Sequence, residues 1–191
     1  MAKNPANVRS FFDSFIDAAV AKADAESKQI GKMMNDSGQA GSLEAWDWNF
    51  YAEKVRQAEY DLDENQIKPY FEVETVMEEG VLYAANKLYG ITFKKRTDIP
   101  VYHEDVVVYE LFEEDGSELG LFYADYFARP SKRGGAWMSN FVSQSHLEGT
   151  KPVIYNVCNI TKPADGEPAL MTFDNVITMF HEFGHALHGF F

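Results

Sequence analysis

Two histidines and a glutamate near the carboxyl end carry the clearest chemistry in the chain: His181-Glu182-Phe183-Gly184-His185. On a helix, residues four apart stand one turn above each other on nearly the same face, so both imidazoles can reach one ion. Neutral imidazole suits Zn²⁺, which in catalytic sites takes three protein ligands and keeps a fourth position for water. Glu182 sits beside the first ligand and is expected to reach that water rather than the ion. It would accept the water's proton while the same ion polarises a carbonyl, and the proton would then pass to a leaving amine. Phe180, Phe183, Gly184 and Leu187 surround the histidines, and such apolar neighbours would make unpaired imidazoles costly. His188 falls on the same helix face at i+7 but stands two turns from His181, roughly 10 Å along the axis, too far for one tetrahedral ion. It is expected to support the ligands or to pack, not to bind. His103 and His146 have no partner at ligand spacing.

These residues need a helix beneath them, and the segment 173–191 supplies its pattern through Val176, Ile177, Phe180, Phe183 and Leu187, with Thr172 or Asp174 as the cap. Upstream the period changes. Residues 106–112 and 119–126 are β-branched and aromatic runs around Asp115-Gly116, a hairpin signature, and 153–157 is a further strand. Residues 131–135 form a basic, glycine-containing loop, and 162–168 a second loop. Before the strands come helices: a long one from Asn4-Pro5 through Val8, Phe12, Phe15, Ile16, Ala19 and Ala23; a glycine-bearing break at 35–41; an aromatic stripe of Trp48, Tyr51, Ala52 and Val55; and a short segment at 61–68. A third strong helix carries Val73, Val76, Met77, Val81, Ala84 and Leu88 and stops at Gly90. Helices, then a small sheet, then one helix predict an α+β fold, mainly helical, with a small antiparallel or mixed sheet. The chain divides into residues 1–41, a long helix and its break, and residues 42–191, a partial catalytic domain.

Composition narrows the partners. Seventeen basic against thirty acidic residues leave a net charge of −13, which disfavours nucleic acid. Asp13 and Asp17 interrupt the only apolar stretch near the start, so no secretory signal is expected there, and no run approaches the roughly eighteen apolar residues of a membrane span. The single cysteine, Cys158, reads as a buried structural thiol.

The run FHEFGHALHGFF resembles the signature of the thimet oligopeptidase family of zinc peptidases, which are zincins. The likeness extends upstream through the segments at 46–72, 89–93, 98–112, 126–141 and 152–185, and is strongest to the family's bacterial peptidyl-dipeptidase branch. It implies a zinc cofactor held by His181 and His185, with Glu182 as general base. It also implies a third ligand, a glutamate, from a helix that would follow the motif, whereas the chain ends at Phe191. The metzincin extension would place glycine at 188 and histidine at 191, where this chain has His188 and Phe191. The expectation is an internal fragment that ends just after the motif helix. Substrates would be short peptides, cut to release C-terminal dipeptides; an oligopeptidase cutting internal bonds and an inactive fragment lacking its third ligand are the alternatives. The resemblance further implies a cleft lined by the sheet, with Gly134, Gly135 and Ala136 touching an extended peptide, and a cytoplasmic setting. Truncation would expose apolar surface and favour self-association.

Overall fold

The computed structural model describes residues 3–39, 41–60, 64–164 and 166–191. The expected break at 35–41, the short segment at 61–68 and the loop at 162–168 each fall partly outside the described residues. The chain forms two compact units, one up to residue 63 and one from residue 64.

In the first unit, Asn4 caps α1 (Pro5–Asp13), its Oδ1 accepting from the Asn7 amide at 2.9 Å, with Pro5 at the first turn. The single long helix expected here is in fact two. Ser14 interrupts it: its hydroxyl donates to the Phe11 carbonyl at 2.6 Å, diverting an acceptor that a continuing helix would use, and α2 (Ile16–Asp36) starts afresh after Phe15. Ile30 and Met34 of α2 bury against Tyr51 of α3 (Trp48–Tyr60), with Leu43, Trp48, Ala52 and Val55 around them.

The second unit starts with a short helix, α4 (Glu64–Ile67), and a 3₁₀ turn, Lys68–Tyr70. One continuous helical rod follows, made of α5 (Val73–Thr75), a π-helical stretch (Val76–Leu82) and α6 (Tyr83–Tyr89), closed by Gly90 in the left-handed conformation. The π stretch corrects the expected face. Val73, Val76, Met77 and Val81 are buried as the 3.6-residue period requires, but the wider turn moves the register by one, so Leu82 and Ala85 are buried next while Leu88 is exposed.

Among the described residues five strands form one mixed sheet: β1 (Thr92–Arg96), β2 (Val107–Phe112), β3 (Glu118–Phe127), β4 (Trp137–Val142) and β5 (Val153–Ile160), in the order β1-β2-β3-β5-β4. All neighbours are antiparallel except the parallel pair β3 and β5. The β2–β3 hairpin turns at Asp115-Gly116 as expected, with the Asp115 carboxylate accepting from the Ser117 amide at 2.8 Å and Gly116 at φ 82°. β1 and β4, which the sequence did not announce, are the two edges.

The last helix, α7 (Phe173–Phe190), lies with the 73–89 rod over one face of this sheet, and their apolar stripes share one core with Leu111, Phe122, Ile154 and Cys158. The two helical segments start side by side, because the Val73 amide donates to the Ala169 carbonyl at 2.9 Å and the Met171 amide to the Phe71 carbonyl at 2.8 Å. Helices thus precede and follow a sheet whose core-facing side they cover, which makes the fold α+β. No helix among the described residues is long and apolar enough to cross a membrane.

Candidate metal centre

The motif helix is fixed at both ends. Thr172 caps it through a reciprocal box: the Asn175 amide donates to the Thr172 hydroxyl at 3.2 Å and the Thr172 amide to the Asn175 side chain at 3.3 Å. At the far end Gln144 donates to the carbonyls of Phe190 and Phe191. Between them Met179, Glu182, Phe183, Ala186 and Phe190 form the buried stripe, and Phe183 meets the Phe122 ring edge-on at 5.2 Å. Gly189 lets the helix lie close to the sheet: a β-carbon there would come within 2.7 Å of both the Ile154 and Met138 side-chain ends. Gly184, inside the motif, faces open space.

That stripe rotates the three histidines to the neighbouring face. The Nε2 atoms of His181 and His185 converge to 3.0 Å, with the rings edge-to-face at 4.6 Å. The apolar surrounding expected for them is not found: Phe183 is buried, but His181, His185 and His188 are exposed. Convergence, not burial, marks the pair. Two imidazole nitrogens each about 2.0–2.1 Å from a tetrahedral zinc stand about 3.3 Å apart, so the observed separation needs only a small rotation of either ring to fit one ion. Among the described residues no group of three histidine, cysteine, aspartate or glutamate side chains is placed to hold a metal. The convergence is therefore confined to the His181 and His185 rings.

Glu182 is 8% exposed and borders an open cavity of about 470 Å³ together with His185, His188, Ala136, Trp137 and Met138. Of the three small residues expected along the cleft, Ala136 lines it; Gly134 and Gly135 lie just before it, Gly135 at φ 89°, a backbone conformation that suits glycine. Trp137 and Met138, for which the sequence carries no signal, also belong to the wall. Cys158 is buried as expected, and burial first, with the Glu182 charge second, pushes its thiol up to about 12, which keeps it protonated and inert.

The loop before β4 is held by a buried ionic cluster. Asp125, 1% exposed, takes the forked guanidinium of Arg129 at 2.6 and 2.7 Å and the Tyr102 hydroxyl at 3.0 Å. The Lys132 ammonium, on a side chain 4% exposed, lies 2.9 Å from the same carboxylate and donates to the carbonyls of Asp125, Phe127 and Cys158 at 2.6 to 2.9 Å. Burial pushes the Asp125 pKa up, but the bonds from Arg129 and Lys132 outweigh it and hold the carboxyl below its ordinary value. Asn159 completes the anchor by donating to the carbonyls of Arg133 and Gly135 at 2.9 and 2.7 Å. One buried amide has no such place: neither side-chain atom of Asn156, 0% exposed on β5, has a hydrogen-bond partner among the described residues. Its only sequence signal is a polar residue inside the apolar run 153–158.

The helix thus presents two converging histidines and an adjacent carboxylate beside the edge strand of the sheet. The comparisons agree on the family. The model of Peptidase family M3 matches residues 1–191, and the chain belongs to that family. It is 54% identical over 191 residues to the dipeptidyl carboxypeptidase of Salmonella typhimurium and 56% identical to that of Escherichia coli, in each case across 100% of this chain. It is also 41% identical to oligopeptidase A of Salmonella typhimurium across 98% of this chain. The chain spans 28% of the length of each of these relatives.

Proposed function

We propose that this chain carries the metal-binding helix and one cleft wall of a zincin that hydrolyses short peptides and releases C-terminal dipeptides, with residues 42–191 as part of its catalytic domain. The convergence of the His181 and His185 nitrogens at 3.0 Å, above a cleft that Glu182 borders, carries this reading. The names of the 54% and 56% identical relatives, dipeptidyl carboxypeptidases, support the substrate class.

His181 and His185 would hold zinc through Nε2, and a third ligand would come from outside the described residues. Zinc bound there supplies Lewis acidity, polarising the scissile carbonyl and acidifying water. Glu182 accepts the proton of the attacking water and returns it to the leaving nitrogen, so its carboxylate must face the cleft while its stem stays in the core. His188, further along the same wall, can bond to groups of the substrate or orient a ligand. Among the described residues β4 pairs only with β5, and its other side is a sheet edge along the cleft. An extended peptide adding there would be held by its main chain, whatever its side chains.

The test is hydrolysis of a free-acid tetrapeptide and its C-terminal amide by the zinc-loaded chain, with zinc stoichiometry measured alongside. Dipeptide release from the free acid is expected, far slower than from a longer relative with a third ligand, and Glu182→Gln should lower the rate by about 10²–10⁴ while bound zinc is unchanged. Equal rates for Glu182→Gln and the parent would overturn the reading. The 41% identity to an oligopeptidase supports a second reading, cleavage of internal bonds, and rapid cutting of the amide would select it. With two histidine donors, zinc is expected to bind more weakly than at a three-ligand site, and a chain without zinc or turnover would identify an inactive piece of the site.

A further inference from the structure

On the face of β4 turned away from α7, a second cavity of about 530 Å³ opens beside the edge strand. Tyr102, Trp137, Phe141 and Tyr155 wall it, with Phe141 packed on Tyr155 at 4.6 Å. Its charges are Arg129, Lys132 and Arg133 against Asp125 alone, three cations to one carboxylate in a chain whose net charge is −13. Asp125 is shared by Arg129 and Lys132, a trio with one net positive charge, and Arg133 adds a second. No carboxylate among the described residues pairs with the Arg133 guanidinium; it lies over the Trp137 ring, 4.7 Å from the centroid. The backbone that carries it is pinned by the Asn159 amide. The site therefore presents an oriented, uncompensated fork of donors at the rim of an aromatic pocket, the arrangement that recognises a carboxylate.

Strand geometry connects this pocket with the cleft. Met138 points to α7, where its methyl lies beside Gly189, so Trp137 and Ser139 point to the other face. Trp137 borders both cavities. A peptide extended along the free side of β4 alternates in the same way: where one residue's side chain turns to the His185 cleft, its neighbour turns to the Arg133 pocket. We infer that the pocket formed by Arg133 and the Tyr102, Trp137, Phe141 and Tyr155 rings is a carboxylate-binding subsite for peptides lying on β4. It rests on the proposed peptide cleft and adds to it a preference for an acidic group at one alternating position. That group can be an aspartate or glutamate side chain or the peptide's terminal carboxylate.

The experiment separates these sources. An acetylated alanine hexapeptide amide with one central glutamate, its glutamine twin, and the all-alanine peptide as free acid and as amide are titrated into the ¹⁵N-labelled chain in chelator, so that nothing is cleaved. The glutamate peptide should bind roughly five- to tenfold more tightly than the glutamine twin and move the Trp137 indole resonance, less so in high salt. Arg133→Gln should remove that preference and Arg133→Lys keep part of it, while the all-alanine amide binds the parent and Arg133→Gln equally, showing the edge intact. A gain confined to the free acid would assign the subsite to the peptide terminus, and a gain confined to glutamate to a side chain; either supports it. Equal affinity for every acidic and amide pair, a preference undiminished in Arg133→Gln, or no binding of the acidic peptides at millimolar concentration would overturn it. Hydrolysis that depends on Glu182 without any acid preference would remove the subsite and leave the peptidase reading standing; acid preference without hydrolysis would do the reverse.

Discussion

The two edges of the sheet are guarded differently. β1 presents Lys94, Lys95 and Arg96 in a row, with Lys95 paired to Glu74 and Arg96 to Asp98 and Glu110. β4 reads Trp137-Met138-Ser139-Asn140-Phe141-Val142 and carries no charge. An edge left with free backbone groups recruits other strands, and proteins ordinarily prevent this with the lysines that β1 has. The unprotected edge is the one beside the histidine helix, in keeping with the peptide-binding role proposed for it. What β4 lacks in side-chain protection it gains in support: the Asp125 cluster holds the loop before it, and α7 packs beneath it through Met138 and Gly189.

The largest expected effect comes from removing that support. Asp125→Ala leaves Arg129 and Lys132 without their shared carboxylate and should cost about 3–5 kcal/mol in denaturant unfolding at neutral pH. Because the folded Asp125 pKa lies below its unfolded value, its contribution is present above pH ~4 and is lost as the pH falls through the folded value. Parent and variant should therefore converge only in acid, and a gap that persisted there would show that packing, not charge, holds the loop. A smaller effect of opposite sign is expected beneath β4. Asn156 is the register partner of Met138, and Asn156→Leu replaces an unpartnered buried amide by an apolar group of the same branched skeleton. The variant should be more stable by about 1–2 kcal/mol; a loss of that size would show that the amide has a partner of its own. The smallest change makes β1 resemble β4. Lys94→Val should leave stability within about 0.5 kcal/mol and raise concentration-dependent association in light scattering. No rise would mean that Lys95 and Arg96 suffice.

The same contrast explains what could be read in the sequence. α7 was legible because its cap and its 3.6-residue stripe agree, and the β2–β3 hairpin because Asp115-Gly116 stands between two β-branched runs. β1 was hidden by its own protection, since Thr92–Arg96 has three cations in five residues, and β4 by the absence of alternation in Trp137–Val142. Ser14 split α1 from α2 through a local side-chain bond that periodicity does not register. For the candidate site, the spacing of His181 and His185 was enough to anticipate their convergence, whereas their exposure depended on which stripe of α7 the sheet buries. The Asp125, Arg129 and Lys132 cluster spans only eight residues, but its burial depends on β5, which pairs with β3 and offers the Cys158 carbonyl to Lys132.

The π-helical stretch between Val76 and Leu82 has a consequence for the length of the chain. After Val81 the buried positions fall one residue later than a plain α-helix would put them, as happens when such a helix takes in a surplus residue. Losing one residue there would return Leu82 and Ala85 to the positions that a plain 3.6-residue helix already assigns them. The centre of this core helix is therefore a place where the chain can be shortened by one residue through rewinding, with both ends of the rod keeping their neighbours.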